Sequence, residues 1–545
     1  MMHRISFPTF VLLAMLALLP GCGDSGREKS ARDAGPRQVV VAVYRDGAMD
    51  ALDAATYNGP HFLFKMIYDG LVEDGGKGAI LPQLATGWSV SDDGGTYTFA
   101  LRKGVTFSDG TPFNAEAAVF NLKRWANQGK YAAVTASRMK SFRAVDEHTL
   151  EVVYTDAAYP ILTELTYPRP VRFLSPASIM PKDGDALGAF SKPVGTGPWM
   201  LESYAKGKEF TLVPNPHYWG EKPKLDRIVF KVAPDGQARV LALQSGEVDI
   251  LGGDLMAKIP MSSFLELQKS GKFTTVTAGT LCSHFIAFNQ SVPAFQDRAV
   301  RLAMNYAINK KSIAEELFDN IGLEATGMYQ KGVPYATQAN NYTFGNDKDK
   351  ARALLREAGY ADADNDGVLE KDGQRLEFSF LLTAEEFPEW KMLAEFVQAE
   401  FAAVGIKVNL NILDRNGYAQ ATLTTKNFDL ALMRTASDSW MPHGSMLELF
   451  APPDGAGQGK AWHDAALYAM IAQTLKTMDE AGRQKGYDAI MTFISEQAVT
   501  IPVYHPVTAF AVNGNNVGNF TPGVNNYAPV AWEKLTAVPK RGKEQ

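Results

Sequence analysis

The residues with the most chemical reach are the eight histidines, and they stand singly: His3, His61, His148, His217, His284, His443, His463 and His505. No pair has the i, i+4 spacing that places two imidazoles on one face of a helix around a metal, and the two cysteines, Cys22 and Cys282, are far apart in the chain. A nucleophile elbow, a phosphate-cradling glycine loop ending in Lys-Ser/Thr and a zinc-protease helix are all missing from the sequence, so no motif brings a nucleophile and a base together. Gly195-Thr196-Gly197-Pro198 resembles a phosphate loop only superficially, because Pro198 lacks the backbone N–H such a loop uses; a tight turn is the better reading. One acidic cluster has a cation's spacing. Asp362, Asp364 and Asp366 alternate ahead of Gly367 and Glu370, as in the opening of a calcium loop, but Gly373 stands where the closing bidentate acid belongs. This segment is either a structural calcium site or a solvated turn before the strand that starts near Phe378.

These residues must be carried by a large globular body. The chain has 545 residues, 46% of them hydrophobic and 21% charged, with a formal net charge of -6. That composition excludes a disordered polymer and argues against nucleic acid as a partner. At the N-terminus, His3 and Arg4 precede an apolar run over residues 10–19, about half of the roughly 20 needed to span a bilayer as a helix, so the run reads as a signal peptide. It ends in Leu19-Pro20-Gly21-Cys22, which resembles a bacterial lipobox, with Cys22 as the lipidated residue. Residues 1–21 are then the lipoprotein signal, and 22–37, rich in Gly, Ser, Asp, Lys and Arg, a flexible tether. The only membrane attachment expected is through this lipid.

Strand-like and helix-like patterns alternate along the rest, as in an α/β protein. Strands are expected at 39–44, 96–102, 150–155, 227–232, 248–251, 378–382, 406–413, 428–433 and 499–504. Helices are expected after Asn114, an N-cap, and at 158–165, 237–245, 297–308, 312–318, 389–404 and 465–497, and a Pro-rich elbow over 167–176. No fixed-period repeat is visible, which removes solenoids and propellers. Two lobes with a ligand crevice between them suit this alternation.

Several stretches, in one order, resemble the bacterial extracellular solute-binding proteins of family 5, the peptide and nickel receptors of ABC importers. They are Tyr68-Asp69-Gly70-Leu71, Leu81-Pro82-Gln83-Leu84-Ala85 with Trp88, Phe107 to Ala115 around Asp109-Gly110, Pro193 to Pro198, Asn215 with Tyr218-Trp219-Gly220, and Arg301 to Ile308 around Asn305-Tyr306. The resemblance implies a two-lobed binding-protein fold of the second type with an extra subdomain. The first lobe would span 38–275 with the subdomain at about 59–192, the second 276–500, and 501–545 would return to the first. It also implies a receptor, not an enzyme, working outside the cytoplasm as a monomer that hands its ligand to a permease.

Within the family the nickel branch is the most similar. Residues 167–173, Tyr-Pro-Arg-Pro-Val-Arg-Phe, resemble the segment whose arginine faces the carboxylates of a metal-bound chelator; Arg169 holds that position, and Arg172 is expected to brace the elbow. The resemblance places Tyr57, Tyr418 and Trp440 on the cleft wall and His61 where that branch carries a methionine near its ligand; an imidazole suits nickel better than a thioether. The implied cargo is nickel, alone or with a small polycarboxylate chelator, with His61 and His443 as candidate metal ligands. There are departures. Ala436 replaces a cleft tryptophan, the branch's metal-touching histidine has no counterpart over 451–459, and His443 could instead cap a helix. Asp438 matches the aspartate with which peptide receptors hold a free α-amine, which keeps a di- or oligopeptide ligand open.

Overall fold

The computed structural model describes residues 37–46, 52–55, 60–127, 138–183, 185–280, 282–384, 387–435, 441–450 and 461–538. Cys22, Tyr57, Asp438 and Trp440 lie outside them. Two central sheets organise the chain. The first has seven strands in the order Trp199–Ala205, Glu209–Pro214, Arg227–Val232, Gln38–Val43, Ile250–Gly252, Val507–Val512, Thr274–Gly279. Gln38–Val43 lies inside this sheet because its Val-rich run is buried on both faces, and it pairs in parallel with Arg227–Val232 and Ile250–Gly252. The second has six, in the order Leu323–Glu324, Thr500–His505, His284–Phe288, Leu430–Arg434, Glu377–Leu382, Lys407–Ile412, and all five residues of His284–Phe288 are buried. A third, antiparallel sheet of Ala85–Val90, Thr96–Leu101, Thr149–Tyr154 and Met139–Asp146 forms the subdomain under helix Ala115–Asn127. Asn114 caps that helix as its spacing predicts, its side chain accepting from Ala117 N at 3.0 Å. Each sheet has its own apolar core.

The sheets also move the expected boundaries. Thr500–His505 pairs entirely with the second sheet, so the return to the first lobe runs through Pro506 rather than 501, and Thr274–Gly279 extends the first sheet past 275. Helix His61–Ile67 packs its buried face into the first lobe's core, not the subdomain's, which corrects the start of the subdomain at 59. The helical pattern over 465–497 is two helices, Ala465–Lys476 and Glu480–Glu496, divided where Asp479 caps the second through Gly482 N. The expected helix over 158–165 is reduced to Ile161–Glu164, because Pro160 and the prolines of the elbow leave room for one turn. The hairpin of Trp199–Ala205 and Glu209–Pro214 was not anticipated; neither strand alternates simply, the first carrying three exposed residues and the second three consecutive buried ones.

Candidate functional site

The motifs that are scattered in sequence converge under the elbow. Asp69 accepts hydrogen bonds from Gln83 Nε2 at 2.8 Å, Thr196 Oγ1 at 2.9 Å and Trp219 Nε1 at 2.9 Å; burial pushes its carboxyl up to about 6, against the pull of these donors. Gly195 and Gly197 are required here, since a Cβ at Gly195 would come within 2.0 Å of the Ile67 carbonyl and one at Gly197 within 2.6 Å of that of Met66. The Gly-Thr-Gly-Pro turn is thus pressed against the end of helix His61–Ile67. Arg172, fully buried, donates to the Tyr167 carbonyl (2.9 Å), the Thr166 carbonyl (2.7 Å), Glu73 (3.1 Å) and Gln83 (3.2 Å). Burial alone would raise Glu73, but Lys65 and Arg172 hold it down at about 2. Helix, turn and elbow are therefore one rigid polar assembly.

On that assembly Arg169 and His61 face each other. Arg169 is buried and its Nη2 donates to His61 Nε2, so the imidazole is the neutral tautomer with its proton on Nδ1. Burial first, then the positive charges of Arg169, Arg45 and Arg434, hold His61 well below the ordinary imidazole range. Tyr527 packs on His61 at 4.5 Å between ring centroids. Arg45 follows strand Gln38–Val43 and Arg434 ends strand Leu430–Arg434, so one guanidinium comes from the carboxyl end of a strand in each lobe. Arg434 lies over Phe387 at 5.5 Å and its Nη1 reaches Cys282 Sγ at 3.3 Å. Lys258 of the first lobe lies 5.1 Å from the same Phe387 ring and pairs with Glu389 of the second at 2.5 Å. Where the lobes meet, Arg434 and Lys258 thus stand beside the carboxylates of Glu389 and Asp254.

Tyr418 is half-buried in the second lobe, its hydroxyl donating to the Leu432 carbonyl at 2.7 Å and its ring 6.0 Å from Trp390, which stacks on Phe387 at 4.3 Å. It is thus joined to the crevice wall through two aromatics. His443 is placed apart from His61: it starts helix His443–Phe450 and its Nε2 faces Glu164 at 3.3 Å and the Tyr167 hydroxyl at 3.2 Å. The two candidate metal imidazoles therefore have different surroundings, one among guanidinium groups and one beside a carboxylate. The acidic segment fits a solvated turn better than a calcium loop. Asp362, Asp364 and Glu370 do bring oxygens within 4.8 Å of one another. Their carboxylates, however, accept from the backbone N–H groups of Ala363, Asp366 and Gly367, and Arg375 pairs with Asp364 at 3.4 Å and Asp366 at 2.5 Å, supplying the cation itself. Arg45, Arg434 and Tyr527 escaped the sequence reading; the first two stand at strand ends facing a crevice, a position that could have singled them out.

Comparison with known proteins adds to this geometry. The profile of bacterial extracellular solute-binding proteins, family 5 Middle, matches residues 79–457. The nickel-binding periplasmic protein of Escherichia coli is 32% identical over 482 residues, covering 87% of this chain and 88% of that protein. The dipeptide-binding protein of the same organism is 27% identical over 471 residues, covering 81% and 83%. Among solved structures, NikA from Brucella suis in complex with Fe(III)-EDTA superposes with a TM-score of 0.84 at 29% identity, covering 92% of this chain and 99% of that one.

Proposed function

Because the chain belongs to the bacterial extracellular solute-binding proteins of family 5, substrate-binding components of ABC importers rather than enzymes, we propose that its ligand is nickel or an anionic metal chelate. The observation that carries this reading is the Arg169–His61 pair with Arg45 and Arg434 close enough to act on the same imidazole. Guanidinium groups bind carboxylates in bidentate fashion, and a neutral imidazole offers a lone pair to a borderline metal. On entry of a chelate, Arg169 would leave His61 Nε2 for a chelator carboxylate, and His61 would turn that lone pair toward the metal. Tyr527 and the Phe387–Trp390–Tyr418 aromatics would enclose the complex without strong directional demands. Closure of the two lobes around it produces the form presented to the permease. The same proposal includes the lipid anchor on Cys22, which keeps the receptor outside the cytoplasm and close to its permease.

Isothermal titration with nickel, alone, with histidine and with a polycarboxylate chelator, is the direct test. Heat in a chelate arm that is lost in Arg169→Ala is the expected result; no heat in any arm, with peptides retained on the purified protein in native mass spectrometry, would replace this reading with a peptide receptor. The similarity to the dipeptide-binding protein and the position of Asp438 favour that second reading.

A further inference from the structure

The elbow that carries Arg169 also borders a seam between the subdomain and the second lobe. Its neighbours Ala158, Ile161, Leu165 and Tyr167 belong to the subdomain core, whereas Met446, Leu449 and Tyr487 belong to the core of the second lobe. Between these two bodies, His443 is fully buried and Glu164 nearly so, with Nε2 3.3 Å from the carboxylate and 3.2 Å from the Tyr167 hydroxyl. Around them Tyr159 N donates to the Leu475 carbonyl at 3.1 Å, the Tyr159 hydroxyl meets that of Tyr487, and the Arg483 guanidinium lies 4.9 Å from the Tyr159 ring. Polar groups of this kind are buried only while the two bodies touch. Parted, each would be returned to water.

We propose that Glu164, Tyr167 and His443 are positioning residues that latch the closed receptor and in the same act fix the aim of Arg169. Tyr167 and Arg169 are two residues apart, and Arg172 holds the carbonyls of Thr166 and Tyr167, so the backbone between seam and crevice cannot move at one end alone. Closing the seam therefore sets the arginine. This deepens the capture reading above, but it concerns the protein's own contacts and stands whether the cargo is a chelate or a peptide. It also gives His443 a role that does not involve metal.

Hydrogen exchange on the ligand-free full chain tests it across the seam. In the wild type, residues 161–173 are expected to be protected. His443→Leu, placed on the opposite lobe, leaves Glu164 facing an apolar group whenever the lobes close, so exchange over 161–167 and 168–173 should rise together, by at least about tenfold. The strand His284–Phe288, in the core of the second lobe, should stay protected, which separates release of the latch from unfolding. Glu164→Leu and Tyr167→Phe combined with His443→Leu should recover protection, since all three polar groups of the latch are then replaced together. If His443→Leu does not fold, Tyr167→Phe, which deletes only the hydroxyl, should raise exchange over 443–450 by a smaller factor. Unprotected 161–173 in the wild type, or unchanged exchange in the variant that folds, overturns the proposal.

Discussion

Arg169 and Arg172 are three positions apart on one elbow, both buried, and their surroundings differ completely. Arg172 has four acceptors, two of them backbone carbonyls of the elbow itself, and no room to move. Arg169 meets a neutral imidazole on which Arg45 and Arg434 also act. A guanidinium surrounded by fixed acceptors is part of the scaffold. One that donates to a neutral imidazole on which two further arginines also act would, under the proposed function, be drawn to an anionic ligand. The same side chain thus builds the floor at one position and, under the proposed function, would meet the ligand at the other.

Breaking the floor should have the largest effect. Arg172→Ala leaves two elbow carbonyls without their donor beside a cavity while Glu73 keeps Lys65, and is expected to destabilise the chain by about 2–4 kcal/mol, read by urea denaturation. Arg169→Ala should lower stability by less than Arg172→Ala and weaken chelate binding by about 1.5–3 kcal/mol, the range of a charge-assisted hydrogen bond, read by titration calorimetry. Equal loss of stability in the two variants would erase the distinction between floor and crevice.

The second lobe offers a pH test. Burial pushes His505 down to about 3, and neither ring nitrogen has a hydrogen-bond partner among the described residues. Between about pH 6.5 and 3 the unfolded chain takes up a proton there that the folded chain refuses, so stability should fall as the pH is lowered, by up to about 1.4 kcal/mol per pH unit. His505→Phe should flatten that slope between pH 6 and pH 4, measured as urea midpoints, while leaving the Arg169 effect at neutral pH untouched. The smallest effect is expected at the wall: Tyr418→Phe removes one hydrogen bond to the Leu432 carbonyl and should lower stability by about 0.5–1.5 kcal/mol, checked by thermal melting.

Much of the framework was legible because it is local. The strand at 227–232 coincides with its pattern, and the Asn114 cap is set by contacts within one turn. The divided helix over 465–497 was legible only in part: the apolar spacing runs through, and Asp479 becomes a cap only because the chain turns there. The acidic segment shows the limit of a spacing argument. Alternating carboxylates describe a calcium loop and a turn neutralised by Arg375 equally well, and what the hairpin of Glu370–Lys371 with Gln374–Arg375 adds, a guanidinium brought over the loop, is invisible to spacing.

By itself the sequence determined the family, the alternation of strands and helices, and the elbow with its two arginines, since these depend on residue type and near-neighbour spacing. Only the tertiary structure decided which arginine is pinned and which faces the crevice, because Glu73 is 99 residues from Arg172 and His61 is 108 from Arg169. The same holds for Arg45, just after a strand of the first sheet, and Arg434, at the end of a strand of the second. Side-chain direction is set by the partners a position meets after folding, and for this crevice those partners come from both lobes.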